Sequence, residues 1–546
     1  MKNTVKLISI TIFVLSILAL TLASCDIDIS DIFGEQTCDH QWGEWETIRE
    51  SNCKTPGMMQ RECEKCKETE EEATPLNDHA EGEWTIDEKA SCTKDGIKSK
   101  KCEICGEVLR QEKIPLNGTH EYENHNCIYC GLTSEECFEF TYLPESDSYE
   151  IKANINYPLP SQTSLPSSFN GKKVTSIATQ AFIHRYELTS VVIPDGITSI
   201  NEGAFYFCNH LKSIVISDSV ELIGNLVLDN CYNLTSISVG ENNKSYKSID
   251  GNLYSKDGKT LIKYAAGKKD TSFEMPDSVT TISDFALAYC ENLESIVISD
   301  GAEFIGRMAF YHCEGLKSIV IPDNVTTIGE SAFENCTSLA SAVIGDGVSH
   351  IGDRVFYNCV SLDGIVIPDS VSYIGKMAFN ECLSMTCITV SESNKSYKSI
   401  DGNLYSKDGK NLIRYACGKK DTSFEVPRGV TSIDDRSFTG SQNLQSIVIG
   451  DDVSYVGDWA FAGCNNITSI VIGDNVNFIG FYAFSHCSSL TDIYYKGNAE
   501  EWNNISIDIY GNDCLKSATL YYYCAEEPTE EGNFWHWVDG AVAIWE

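Results

Sequence analysis

Between Cys38 and Cys137 the chain repeats, with a period of 39 residues, a set of side chains able to bind a soft metal ion. His40, Cys53, Cys63 and Cys66 recur as His79, Cys92, Cys102 and Cys105, and a shortened third copy carries His120, His125, Cys127 and Cys130. The knuckles read CEKC, CEIC and CIYC. Two cysteines separated by two residues turn both sulfurs toward one point while backbone N–H groups of the turn face them. A third cysteine and a histidine complete a tetrahedral Cys3His shell, which suits zinc. Grouping each histidine with the cysteines that follow it gives three sites that share no ligand, the third being Cys2His2. Four protein ligands close the shell to water, so the expected zinc is structural and not catalytic. Disulfide bonding of the same thiols is the alternative for a chain exported to an oxidising compartment. Units this small hold too little core to fold alone, so a cross-link of one kind or the other is needed.

Export is written in the first 25 residues, MKNTVKLISITIFVLSILALTLASC. A basic start (Lys2, Lys6) precedes an apolar run from Ile8 to Leu20 and then small residues. The run is short for a membrane span and has the layout of a secretory signal. Leu22-Ala23-Ser24-Cys25 resembles the bacterial lipobox. That resemblance implies removal of residues 1–24, a covalent lipid on Cys25, and residues 25–37 as the tether of a membrane-anchored, outward-facing protein. More than one acyl chain on Cys25 suffices for stable anchoring without a spanning helix.

The rest of the composition narrows the partners. Acidic residues outnumber basic ones 79 to 41, for a net charge of −38 over 546 residues. Nucleic-acid binding needs a basic footprint that is missing here, and adsorption to anionic headgroups is disfavoured for the same reason.

From Val174 the period changes. Units begin at Val174, Ile197, Val220, Val279, Ala302, Val325, Val348, Val371, Val430, Val453 and Val476; eight steps are 23 residues and two are 59, which is 23 plus 36. Within one unit the apolar positions run Val325, Ile328, Ala332, Phe333, Cys336 and Leu339, after a strand SIVI ending at Ile321. One such turn cannot bury its apolar side, but stacked turns share a core. The spacing predicts a mainly β solenoid of about eleven units over residues 174–495, capped by residues 138–173 and 496–524 and preceded by the Cys-rich, zinc-ribbon-like repeats of residues 38–137.

The two long steps hold near-identical insertions, near 240–275 and 391–426. Each contains NLYSKDGK, read as a hairpin turning at Asp257-Gly258 or Asp408-Gly409. They concentrate Lys and Tyr on an acidic protein, so they are either structural braces or local binding elements. Residues 525–546 read as an acidic linker followed by Phe534, Trp535, Trp537 and Trp545, expected to fold onto the cap.

A second cysteine population marks each turn: Cys208, Cys231, Cys290, Cys313, Cys336, Cys359, Cys382, Cys464 and Cys487. Their number is odd, and Arg185 and Ser441 replace cysteine in two turns. Side chains projecting side by side do not present the facing Cβ vectors a disulfide needs, so these thiols are expected to be interior filler. The turn aspartates, such as Asp323 and Asp346, are expected to shape turns and not to gather round calcium.

The segments IPDNVTTIGESAFENCTSL (Ile321–Leu339), its echo at Ile367–Phe379, IDGNLYSKDGKTLIKY and PSSFNGKKVTSI (Pro166–Ile177) resemble the BspA-like leucine-rich-repeat family. The resemblance covers roughly Phe138 to Tyr523. It implies a secreted or surface solenoid used for binding, in some members adhesion to host or microbial proteins. No Ser/His/Asp or paired-carboxylate set stands outside the repeat rule, so no enzyme is expected. The leading expectation is non-catalytic recognition of a protein or cell-surface ligand, over a strip of outward Ser295, Ser318, Ser446 and Ser469 beside Val297, Val320, Val448 and Val471. The alternative is a glycan-binding module that uses Tyr and Trp as stacking platforms.

Overall fold

A computed structural model describes residues 39–88, 95–114, 122–123, 126–127 and 134–545. Cys25, Cys92, His120, His125 and Cys130 lie outside the described residues, and Cys127 is described in its backbone alone. The chain divides into two compact units, the Cys-rich repeats and the long array that follows.

In the first unit each 39-residue repeat is a three-stranded antiparallel meander. Glu46–Arg49, Gly57–Glu62 and Thr69–Thr74 form one, and Glu81–Glu88, Gly96–Cys102 and Val108–Ile114 form the other. Each knuckle is the hairpin between the second and third strands. It closes through a bond from the Lys67 N–H to the Cys63 carbonyl at 2.9 Å, and from Gly106 to Cys102 at 2.8 Å. Both closing residues have left-handed backbones, φ 68° and 74°, which glycine adopts freely and lysine at some cost. Among the described residues of this unit, the buried apolar side chains are Cys53, Cys63 and Cys102 alone. Hydrophobic burial cannot hold such a unit together.

The second unit is the solenoid. Every turn supplies two strands to two parallel ladders. The longer strands, such as Ser318–Val320, pair with the next turn's Ser341–Val343, and the shorter ones, such as Thr327–Ile328, pair with His350–Ile351. Ile319 and Ile328 point into the core while Val320 points out. The Pro322 carbonyl accepts from the Val325 N–H at 3.1 Å, forming the tight turn between the two strands. Beyond the short strand the chain reverses through two left-handed residues, for example Ser331 (φ 55°) and Asn335 (φ 63°), a pair that recurs along the array. Turns approach so closely at Gly329 that a Cβ there would lie 2.6 Å from the Arg307 nitrogen. Inside, the rings of Phe310, Phe333, Phe356 and Phe379 stack at 4.8, 5.4 and 6.0 Å. At about 4.8 Å per strand this is one continuous apolar column.

The insertions are more than decorations. Asn252–Ser255 and Thr260–Lys263 form the expected hairpin across Asp257-Gly258, but a further strand, Tyr246–Ile249, pairs with Asn252–Ser255 on its other side. Thr260–Lys263 also joins the short-strand ladder against Thr281 and Ile282. Ser272–Glu274 then joins the long-strand ladder against Ser295–Val297. Each insertion therefore contributes a further turn of its own, and the ladder extends beyond the eleven 23-residue units. It also breaks the ladders. The Tyr246 hydroxyl accepts the Ile223 N–H at 2.9 Å, as its twin Tyr397 does that of Ile374, so each insertion caps the preceding short-strand edge before a new ladder starts.

Both ends of the array are covered. Phe138–Leu143 and Ser148–Ala153 form an antiparallel pair at the start. At the other end lie two short helices, Ala499–Asn504 and Asp513–Ser517. The final aromatic segment is a hairpin, Phe534–Val538 with Ala541–Ile544, added to the long-strand ladder beside Thr519–Tyr523. Trp535 is fully buried there and donates its indole N–H to the Tyr495 carbonyl at 2.9 Å. Among the described residues no helix is long and apolar enough to cross a membrane.

Candidate functional site

Three features carry chemistry: the Cys/His clusters, the thiol column, and two clefts where the insertions break the ladders.

The metal-ligand residues do gather, but not in the expected grouping. Cys53 lies in the loop between the first two strands of its meander, and it turns away from His40, Cys63 and Cys66. It joins the second repeat's His79, Cys102 and Cys105, and the four ligand atoms lie within 4.8 Å of one another. His40, Cys63 and Cys66 form a set of three at the first knuckle by the same measure. The identical 39-residue displacement of every ligand made the expected grouping look natural, yet it fixes spacing and not which copy supplies which ligand. The Cys53 and Cys102 sulfurs are 3.5 Å apart, the Cys105 sulfur is 3.4 Å from His79 Nδ1, and the Cys66 sulfur is 3.2 Å from His40 Nδ1.

Two residues missed at the sequence level belong here. His40 Nε2 faces Glu68 at 3.3 Å and His79 Nε2 faces Glu107 at 3.5 Å. The two glutamates are also 39 residues apart, the signal that could have found them. The environment sets the thiols apart. Burial opposes ionisation of Cys102, but the backbone N–H of Cys105, the His79 ring and the Ile104 N–H bring it down to about 6; the Cys105 counterpart Cys66, with Lys65 and His40, does the same for Cys63, also to about 6. Burial, then the neighbouring Cys105 and Cys102 thiols, push Cys53 up to about 12.

In the solenoid the cysteine column is buried and unpaired by disulfides, but it is not only filler. The Cys336 thiol donates to the carbonyl of Phe310 in the preceding turn at 3.2 Å, and Cys208, Cys313, Cys359, Cys382, Cys464 and Cys487 bond likewise to the carbonyl 26 residues earlier. Where Arg185 replaces cysteine, its guanidinium donates to the Asn154 and Tyr157 carbonyls. Ser441 in the same column has a buried hydroxyl without a partner. Burial raises these thiols, Cys382 and Cys464 to about 12, so they stay protonated and able to donate. Among the described residues, groups of three or more metal-ligating side chains occur only in the Cys-rich unit. The turn aspartates bind backbone: Asp323 accepts the Asp346 N–H at 3.0 Å.

At each ladder break a cleft opens. The first, about 510 Å³, is lined by Ile223, Tyr246, Lys263, Asp284, Phe285 and Arg307 among others. The second, about 750 Å³, is lined by Ile374, Tyr397, Arg414, Asp434, Arg436 and Trp459 among others. The residues that make the clefts are copied between the two insertions, whereas the walls diverge: Ser283, Phe285 and Arg307 of one copy are Asp434, Arg436 and Asp458 in the other, 151 residues on, and Trp459 joins the second wall alone. In the second cleft Trp459 stacks on Tyr482 at 4.5 Å, and the Arg436 guanidinium lies over the Trp459 ring at 4.9 Å. Burial pushes the Asp434 carboxyl up to about 6, against the Ser432 hydroxyl that donates to it.

Of the valines expected to face outward, Val297 and Val320 do, and Val343 and, on the next turn's strand, Val366 continue their row, each more than half exposed. Val471 is instead buried with Tyr494 under Trp535, and Val448 packs against the same cluster, because the C-terminal aromatic hairpin covers that end of the face. Ser295, Ser318 and Ser341 run beside them in register.

A mainly β stack of 23-residue turns with cysteine, phenylalanine and isoleucine columns defines a leucine-rich-repeat solenoid. More particularly, the chain belongs to the family described as the BspA type leucine rich repeat region, whose model matches six copies over residues 160–260, 263–405 and 414–523. Among solved structures, it is similar to a leucine rich cell surface protein from Faecalibacterium prausnitzii, at 25% identity over 68% of this chain and 97% of that one, with a TM-score of 0.36. A leucine-rich repeat protein from Bacteroides ovatus matches at 24% identity over 71% of this chain and 93% of that one, with a TM-score of 0.42. No curated protein matches the chain.

Proposed function

We propose that this protein is a non-catalytic surface receptor, tethered to a membrane by lipid on Cys25, that uses the outer face of its solenoid to hold a protein on another cell. The observation that carries the reading is the row of Val297, Val320, Val343 and Val366. Four apolar side chains at about 4.8 Å intervals form a stripe about 14 Å long. The stripe is rigid because the inward isoleucines of the same strands are buried. An apolar row flanked by hydroxyls fits an extended protein segment, which gains burial from the valines and hydrogen bonds from the serines. The net charge of −38 favours a basic partner.

A second reading rests on the second cleft. The half-buried Trp459, held between Arg436 and Tyr482, and the carboxylates of Asp434, Asp435 and Asp458 provide an aromatic edge beside polar acceptors, against which a sugar ring can pack. The two readings separate on intact cells. Binding of the whole chain should be abolished by stripping the cells with protease and by Val320→Glu/Val343→Glu, and should survive glycosidase treatment and Trp459→Ala. Loss with glycosidase and Trp459→Ala, but not with the valine variant, establishes the glycan reading instead.

A further inference from the structure

Within the Cys-rich unit one cysteine has crossed from its own repeat into the ligand set of the next. We propose that Cys53, His79, Cys102 and Cys105 bind one zinc ion that clasps the first meander to the second, so that metal, and not a hydrophobic core, joins the repeats into one folded piece. This stands independently of the recognition surface of the solenoid.

The geometry is that of a metal shell. With Zn–S near 2.3 Å and Zn–N near 2.0 Å, a tetrahedral site places sulfurs about 3.8 Å apart and sulfur and nitrogen about 3.5 Å apart. The Cys53–Cys102 separation is 3.5 Å and the Cys105–His79 Nδ1 separation is 3.4 Å. A disulfide uses two of these groups and leaves a third thiol and the histidine without purpose, whereas all four converge here. The second shell agrees. Glu107 stands 3.5 Å from His79 Nε2, placed to receive that N–H when the Nδ1 lone pair faces the sulfurs. Carboxylates commonly orient metal-ligating histidines this way. Each thiol gives its proton to solvent as the ion enters, and the finished shell has no open position for water. The energetics require such a clasp, since Cys53, Cys63 and Cys102 are the buried apolar side chains of the described unit. The set His40, Cys63 and Cys66 lies in the first repeat and serves as an internal reference.

The test uses the full chain, purified with zinc and under reducing conditions, and counts bound zinc by elemental analysis. Cys53→Ser should remove one equivalent, as should Cys102→Ser/Cys105→Ser. His40→Ala/Cys66→Ala should remove a different one, so that combining it with Cys53→Ser removes two. If the combined variant loses no more than His40→Ala/Cys66→Ala, then Cys53 serves its own repeat and the proposal fails. A Cys53–Cys102 disulfide peptide from the chain isolated without reductant also overturns it. Because Cys53→Ser could unfold the unit, the unmodified chain supplies a second measurement. On titration with a chelator, Cys53 should become open to alkylation in step with Cys102 and Cys105. Cys53 following Cys63 and Cys66 instead refutes the clasp.

Discussion

The two insertions solve one packing problem in two ways, and exchanging the solutions tests the account of the solenoid interior. Lys263 points inward at the first ladder break and meets Asp229 at 2.8 Å, with side chains only 10% and 3% exposed. Its ammonium also donates to the Phe285 carbonyl at 2.8 Å. At the corresponding places 151 residues on stand Arg414 and Asn380. There is no ion pair there: the Arg414 fork donates to the carbonyls of Arg436 at 2.7 Å and Thr439 at 3.2 Å. Asp229→Asn alone keeps the shape but strips Lys263 of its counter-ion, leaving a buried ammonium with one carbonyl. Removing one partner of a buried pair costs about 3–5 kcal/mol. Adding Lys263→Arg supplies the fork, which reaches the carbonyls of Phe285 and Ala288, and should bring stability back to within about 1 kcal/mol of the parent. A solenoid need not unfold all at once, so the assay is amide hydrogen exchange over residues 222–290, with residues 373–441 as the internal standard. The single variant should exchange roughly 100- to 3,000-fold faster in that window, at about 1.4 kcal/mol per decade. A single-variant effect below tenfold, or a double variant as fast as the single, refutes the reasoning.

Three further outcomes follow from the same structure. Cys336→Ala should cost about 1–2 kcal/mol, read as a lower urea midpoint, because it removes a packed sulfur and the donor to Phe310; Cys336→Ser should do no better, since the hydroxyl of Ser441 at the matching place finds no partner. Asp434 titrates near 6 in the fold against 3.8 when free, so the unfolded chain ionises first and stability falls as pH rises from about 4 to 6, then levels off. Asp434→Asn should remove that fall and stabilise the chain above pH 6 by about 1–2 kcal/mol, seen by comparing melting temperatures at pH 4 and 7. Trp535→Ala should cost about 3–5 kcal/mol and expose the amides of Asp492–Tyr495 to exchange, because it empties the cap beside the terminal ladder.

The solenoid was legible because its period of 23 residues repeats the same physical demand, and any register that buries Ile319 and Ile328 must expose Val320. The unpaired cysteine column followed from the same regularity. What periodicity could not convey was contact across turns. The bond from Cys336 to Phe310 links residues 26 apart, three more than the period, and depends on how the coil reverses through Ser331 and Asn335. The turn hidden in each insertion escaped for a related reason: Thr260–Lys263 reads as the last strand of a hairpin, and only its pairing with Thr281 makes it a member of the ladder. In the Cys-rich unit, sets of ligands displaced by equal steps can be divided between copies in more than one way, so the position of Cys53 required three dimensions.

The paired insertions have a consequence for how such a molecule changes over generations. From Asn243 to Asn394 is one 151-residue cassette, a brace with five plain turns behind it, and the stretch that begins again is nearly the same in letters as well as in shape. An unequal crossover between the two copies deletes or adds a whole cassette in frame, and every junction in the offspring is one the parent already contained. The rod shortens or lengthens by six turns, about 29 Å, and carries one cleft fewer or one more. Reach and the number of clefts are thereby inherited as countable units, while divergence of the cleft walls gives each unit its own chemistry.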